Sequence, residues 1–136
     1  QDLGCGSGGV GIAAALRAPE THVTMVDVNP RALACAEWGL KKNEVRRFET
    51  CLNAYVEVEA SGSYDLVLAN PPYYSDQQIA KIMFEGGFKA LGPAGMMLLV
   101  TKQPEWYHEQ YGDKVAEYQS WSWRSYTIIA VRQFDD

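Results

Sequence analysis

The chain has 136 residues, 47% of them hydrophobic and 21% charged. That suits one layered domain and excludes disorder as the resting state. A formal net charge of −5 argues against a protein that holds nucleic acid by charge alone.

The opening Gln1-Asp2-Leu3-Gly4 reads as the end of a strand running into a glycine-rich turn. The strand has no lead-in, so the chain is expected to be a fragment: a single domain over 1–136 with a truncated first strand and a missing upstream segment. Val10 to Leu16 is small and apolar, which suits a helix packed tightly on a sheet. His22 to Val28 is a valine-rich buried strand. Asn29 and Pro30 are an N-cap and a first helical residue. That helix runs to about Lys42 with Leu33, Ala36 and Leu40 on one face. Arg46 to Leu52 and Tyr64 to Ala69 are the third and fourth strands. Residues 76–91 form a helix with Ile79, Ile82, Met83, Ala90 and Leu91 on one stripe. Gly86 and Gly87 should weaken or kink it. Met96 to Val100 is a fifth strand, and Glu105 to Tyr111 a short helix. Val115 to Gln119 and Tyr126 to Val131 close the chain as a hairpin. The alternation predicts an α/β, Rossmann-like fold: a mostly parallel seven-stranded sheet ending in an antiparallel hairpin. Ligands of such sheets bind beyond the carboxyl ends of the strands.

Two motifs fall at such strand ends. Gly4, Gly6 and Gly8 occupy alternate positions between the first strand and its helix, where glycine allows a tight turn and a close ligand approach. The run Gly4-Cys5-Gly6-Ser7-Gly8-Gly9 also satisfies a dinucleotide pattern, which is weak by itself. Asp27 closes the second strand, where a carboxylate can accept hydrogen bonds from both hydroxyls of a ribose. Cys5 reads as small filler in the turn. The second motif is Asn70-Pro71-Pro72-Tyr73 after the fourth strand. Its prolines remove two backbone donors, leaving the Asn70 side-chain oxygen and the Pro71 carbonyl as acceptors. Two acceptors can hold the two N–H groups of a planar amine and turn its lone pair toward an electrophile. Tyr73 offers a stacking face.

In this order, the glycine turn, Asp27 and Asn-Pro-Pro-Tyr resemble class I S-adenosylmethionine-dependent methyltransferases that modify amino nitrogens. The chain looks most like the small methyltransferase domain of ribosomal RNA guanine-N2 methyltransferases. Adenine-N6 and release-factor glutamine methyltransferases share the four-residue motif. The resemblance implies S-adenosyl-L-methionine as cofactor. It places Gly4, Gly6 and Gly8 beneath the methionine part, Asp2 near the ammonium, Asp27 at the ribose and Asn53 near the adenine amino group. Asn70, Pro71 and Tyr73 would be catalytic, with Pro72 and Tyr73 contacting the substrate.

Elsewhere, Lys41, Lys42, Arg46 and Arg47 read as a solvated face, and His22 and His108 as structural. Trp121, Trp123, Arg124 and Tyr126 lie near the hairpin tip; some of these rings should pack in the core. Trp123 and Arg124 are candidate substrate contacts. Cys5, Cys35 and Cys51 have no metal-ligand spacing, so no metal and no disulfide framework is expected, and a reducing cytoplasm fits. No apolar run approaches the roughly 20 residues of a membrane span. The expected activity is methylation of a nucleobase amino group, guanine N2 in ribosomal RNA first. A protein glutamine, adenine N6 or an inert cofactor-binding module are the alternatives. A nicotinamide oxidoreductase would have no use for the proline turn.

Overall fold

A computed structural model describes residues 1–53, 62–72 and 77–134. Its contacts cluster into two compact units, Gln1–Glu57 and Val58–Asp136.

The first unit holds β1 (Asp2–Leu3), α1 (Gly9–Arg17), β2 (Val23–Asp27), α2 (Pro30–Lys42) and β3 (Phe48–Leu52). The strands are parallel in the order β3-β2-β1, with Met25 level with both Asp2 and Thr50. Flanked on both sides, β2 buries Val23 to Val26. Its β-branched residues suit a pleated, buried surface. Asn29 caps α2, accepting from the Arg31 N–H at 3.0 Å, and Pro30 stands in the first turn. Leu33, Ala36 and Leu40 of α2 meet Ala15, Val23 and Met25 in one core cluster. Helix α1 packs as tightly on the sheet as its small residues predict. Val10 and Leu16 are more than half exposed, and Gly11 and Ala15 are the buried residues. The approach is too close for larger groups there: a Cβ on Gly11 would stand 2.7 Å from Met25 Cε.

The second unit holds β4 (Tyr64–Ala69), α3 (Gln78–Ala90), β5 (Leu91–Thr101), α4 (Pro104–Tyr111), a 3-10 turn (Gly112–Lys114), β6 (Glu117–Trp123) and β7 (Tyr126–Arg132). Their order is β4-β5-β7-β6, with β4 and β5 parallel and β7 antiparallel to both neighbours. Met97, Leu99, Ile129 and Val131 are buried, as are Phe84, Tyr107 and Tyr111. The Phe84 and Tyr111 rings stack at 3.9 Å.

Three expectations are corrected here. The buried stripe of α3 is Met83, Phe84, Gly87 and Ala90, while Ile79 and Ile82 are exposed and Leu91 begins β5. Gly86 and Gly87 both lie within α3. Strand β5 starts at Leu91, where Tyr64 pairs with it across a register shift. Strand β6 reaches Trp123, so only Arg124 and Ser125 connect it to β7. Among the described residues, seven strands and four α-helices form the mixed α/β, Rossmann-like architecture that the alternation predicts. Among the described residues, no helix is long and apolar enough to cross a membrane.

Candidate active site

The turn between β1 and α1 is built from left-handed backbone. Gly4, Gly6 and Gly8 have φ of 64, 53 and 82°. L-residues avoid that region. Gly8 is doubly constrained, since a Cβ there would lie 2.9 Å from Ala36 Cβ. Gly6 and Gly9 face open space, with nothing within 4 Å of a hypothetical Cβ. That opening is where a ligand can approach the backbone.

Both candidate carboxylates hold this turn. Asp27, half-buried, accepts from Gly6 N–H at 2.8 Å through Oδ2 and from Asn29 N–H at 2.9 Å through Oδ1. A carboxylate offers about four lone-pair sites, so two backbone bonds leave acceptor capacity for hydroxyl groups. Asn53 N–H donates to the Asp27 carbonyl at 3.1 Å, which places Asn53 beside Asp27. Asp2 is only 4% exposed. Its Oδ2 accepts from Gly11 N–H at 2.8 Å, tying β1 to the start of α1. Burial pushes its carboxyl up to about 6 against the pull of the Gly11 hydrogen bond, and Asp27 adds to the rise. Burial, then Asp2 and Asp27, push the Cys5 thiol up to about 12. The thiol is therefore neutral, as filler should be. These residues fit an adenosine-bearing cofactor: an open glycine turn, a ribose-competent carboxylate, and Asn53 next to it.

In the second unit, Asn70 is exposed just past β4, Pro71 is buried and Pro72 half-buried. Tyr73 lies outside the described residues. Pro71 and Pro72 border a small recess completed by Gln77, Ala80, Thr101, Gln103 and Tyr107. Thr101 and Gln103, from the end of β5, escaped the sequence reading. Gln103 N–H donates to Thr101 Oγ1 at 2.9 Å, which shapes the rim. Their available signal is position: polar residues directly after an apolar strand, at the edge where ligands bind.

The hairpin tip departs from expectation. Trp121, Trp123 and Tyr126 are all exposed, so none of the three fills the core. Arg124 lies over the Trp123 ring at 4.5 Å. Lys41, Lys42, Arg46 and Arg47 are exposed, with Lys41 paired to Glu37 at 2.5 Å and Arg47 to Glu20 at 3.9 Å. His22 lies 4.0 Å from Glu49, and His108 meets the Tyr118 ring edge-on. The cysteines are free, and among the described residues no His, Cys, Asp and Glu cluster could hold a metal.

The model of the family described as "Methyltransferase small domain" matches residues 1–129. The chain belongs to the methyltransferase small domain family. Among curated relatives, the ribosomal RNA large subunit methyltransferase G of Streptomyces avermitilis is 35% identical over 111 residues, which are 79% of this chain and 29% of that protein. The ribosomal RNA small subunit methyltransferase C of Escherichia coli is 26% identical over 97% of this chain and 40% of its own length. This methyltransferase domain thus spans well under half the length of those relatives. A 16S rRNA N2 methyltransferase of T. thermophilus, solved with AdoMet and guanosine, superposes with a TM-score of 0.84. That match has 19% identity and covers 98% of this chain and 36% of the other. It shows that the fold is that of Rossmann-like methyltransferases.

Proposed function

We propose that this domain binds S-adenosylmethionine and directs methyl transfer to an exocyclic amino group of a nucleobase, guanine N2 in ribosomal RNA. The observation that carries the reading is the Asn70-Pro71-Pro72 turn at the carboxyl end of β4, bordering a recess, in a methyltransferase small domain. Relatives named for ribosomal RNA support the substrate class.

In this reading the first unit holds the cofactor. Asp27 uses its remaining lone pairs for the ribose hydroxyls, and each charge-assisted bond contributes about 1.5 to 3 kcal/mol. Asn53 lies toward the adenine. Asp2 acts as a positioning residue by fixing the start of α1 beneath the turn. Bound S-adenosylmethionine supplies an electrophilic methyl on a sulfonium. In the second unit, the Asn70 side-chain oxygen and the Pro71 carbonyl accept from the two N–H groups of the target amine. Pro72 and Tyr73 bound the base. Holding the amine in line contributes most, because orientation alone lowers such barriers by up to about 7 to 11 kcal/mol.

The net charge of −5 favours, as second reading, a neutral amide in a protein. Transfer of labelled methyl to total RNA against total protein separates the two. Label in RNA, recovered as N2-methylguanine, supports the first reading. Label confined to protein overturns it.

A further inference from the structure

The β6–β7 tip carries more chemistry than a hairpin needs. Residues facing one side of it pair in register: Trp121 with Ile128, and Trp123 with Tyr126. All four side chains are exposed, Trp123 by 65%. Large apolar groups standing together in solvent mark a binding surface.

Both rings nearest the tip carry a cation. Arg124 lies 4.5 Å over Trp123, and Lys102 Nζ lies 4.9 Å over Tyr126. Arg124 also holds φ 55° in a two-residue hairpin connection, a place normally given to Gly or Asn. An arginine kept in left-handed backbone is a strained choice, and such strain collects at functional positions.

Strand direction places this tip. Strand β7 is antiparallel to both β5 and β6, so β6, on the far side of β7, runs in the same sense as β5. The carboxyl ends of β4, β5 and β6 therefore share one edge of the second unit. Asn70 follows β4, Lys102 follows β5 and Arg124 follows β6. Strands lie about 4.8 Å apart, so β6, three strands from β4, is about 14 Å away. The tip is too far to hold the target amine itself and well placed for its neighbours along a strand.

We propose that this tip is the RNA-docking element of the domain. Trp123 and Tyr126 stack on bases flanking the target, while Lys102 and Arg124 meet the adjoining phosphates. The inference rests on the RNA reading above and adds Lys102 and Tyr126 to it. The alternative occupant, an apolar protein segment, would gain from rings with no charge beside them, whereas the two rings nearest the tip each stand beside a cation. Rings beside cations match nucleic acid, which offers base faces and phosphates together. They also give an acidic chain a local positive site without a basic face.

The test is anisotropy of a short labelled single-stranded RNA titrated with wild type, Trp123→Ala, Trp123→Phe and the double variant Lys102→Ala/Arg124→Ala. Loss of one stacking ring should weaken binding about tenfold or more, with Trp123→Phe close to wild type. The double variant should flatten the slope of log affinity against log salt by about 1.4, the share of two phosphate contacts on a single strand. Unchanged melting temperatures confirm that the variants are folded. Equal affinity and equal slope throughout, in a wild type that methylates RNA, overturn the docking role alone. A wild type that labels only protein overturns the RNA reading and this inference together.

Discussion

Asp27 shows why a side chain's position in sequence reveals less than its partners. Its place at the end of β2 suggests a ribose ligand, but its oxygens already hold Gly6 and Asn29. Those donors are backbone N–H groups, to which the sequence gives no clue. Asp27→Ala would therefore loosen the turn and the start of α2 as well as the ribose of the proposed cofactor site. Asp2 is the cleaner probe. Its folded carboxyl titrates near 6 rather than the ordinary 3.8, because burial disfavours its charge. The folded state then binds the proton more tightly than the unfolded state, so stability falls as pH rises through that window. Two pH units correspond to about 3 kcal/mol. Asp2→Asn keeps an acceptor for Gly11 and removes the charge. It should raise stability at pH 7.5 by about 1 to 3 kcal/mol and leave it nearly unchanged below pH 4. Urea melts at both pH values check this; an equal effect at both would show that the charge is buried at no cost.

Elements were readable where local pattern and tertiary role agree. Valine-rich β2, capped α2 and β4 all appear within a few residues of their expected bounds. The α3 stripe was misplaced because two faces share Met83 and Ala90; only packing selects Phe84 and Gly87 over Ile79 and Ile82. The early start of β5 was hidden because Leu91-Gly92-Pro93-Ala94-Gly95 has turn composition, and Tyr64 recruits it by pairing. The glycine turn was readable in kind, though the steric reason at Gly8 was not. Gly8→Ala puts a Cβ 2.9 Å from Ala36 Cβ on a backbone with φ 82°. Left-handed strain and overpacking together should cost about 2 to 5 kcal/mol, seen as a lower urea midpoint. The proline turn calls for a kinetic test. In the proposed mechanism Asn70→Ala removes one acceptor of the target amine, an interaction that would strengthen as positive charge develops there. Single-turnover methylation should slow about a hundredfold or more, while cofactor affinity stays near wild type. A wild-type rate would remove Asn70 from the chemistry.

At the scale of the molecule, the fold class was readable from the alternation of elements, because a chain alternating strand and helix has few other ways to bury both. The cofactor is the property that this scale tests most directly. A ligand that binds only the folded state stabilises it by mass action, by about 2.7 kcal/mol at a hundred times its dissociation constant. For a domain of this size about 1 kcal/mol moves the melting temperature by roughly 3 to 5 degrees, so the expected rise is about 8 to 13 degrees. S-adenosylmethionine should produce that rise. A nicotinamide dinucleotide at the same concentration should produce little, because the Asn-Pro-Pro turn and the methyltransferase family fit a sulfonium donor and give a nicotinamide nothing to do. Gly6→Val supplies the control within the chain: it fills the open space above the turn with nothing of the protein's own to strike, at a strained φ of 53°. It should lower the melting temperature of the free protein modestly and abolish the ligand-induced rise. A rise that survives Gly6→Val, or a larger rise with the dinucleotide, would place the cofactor away from the glycine turn.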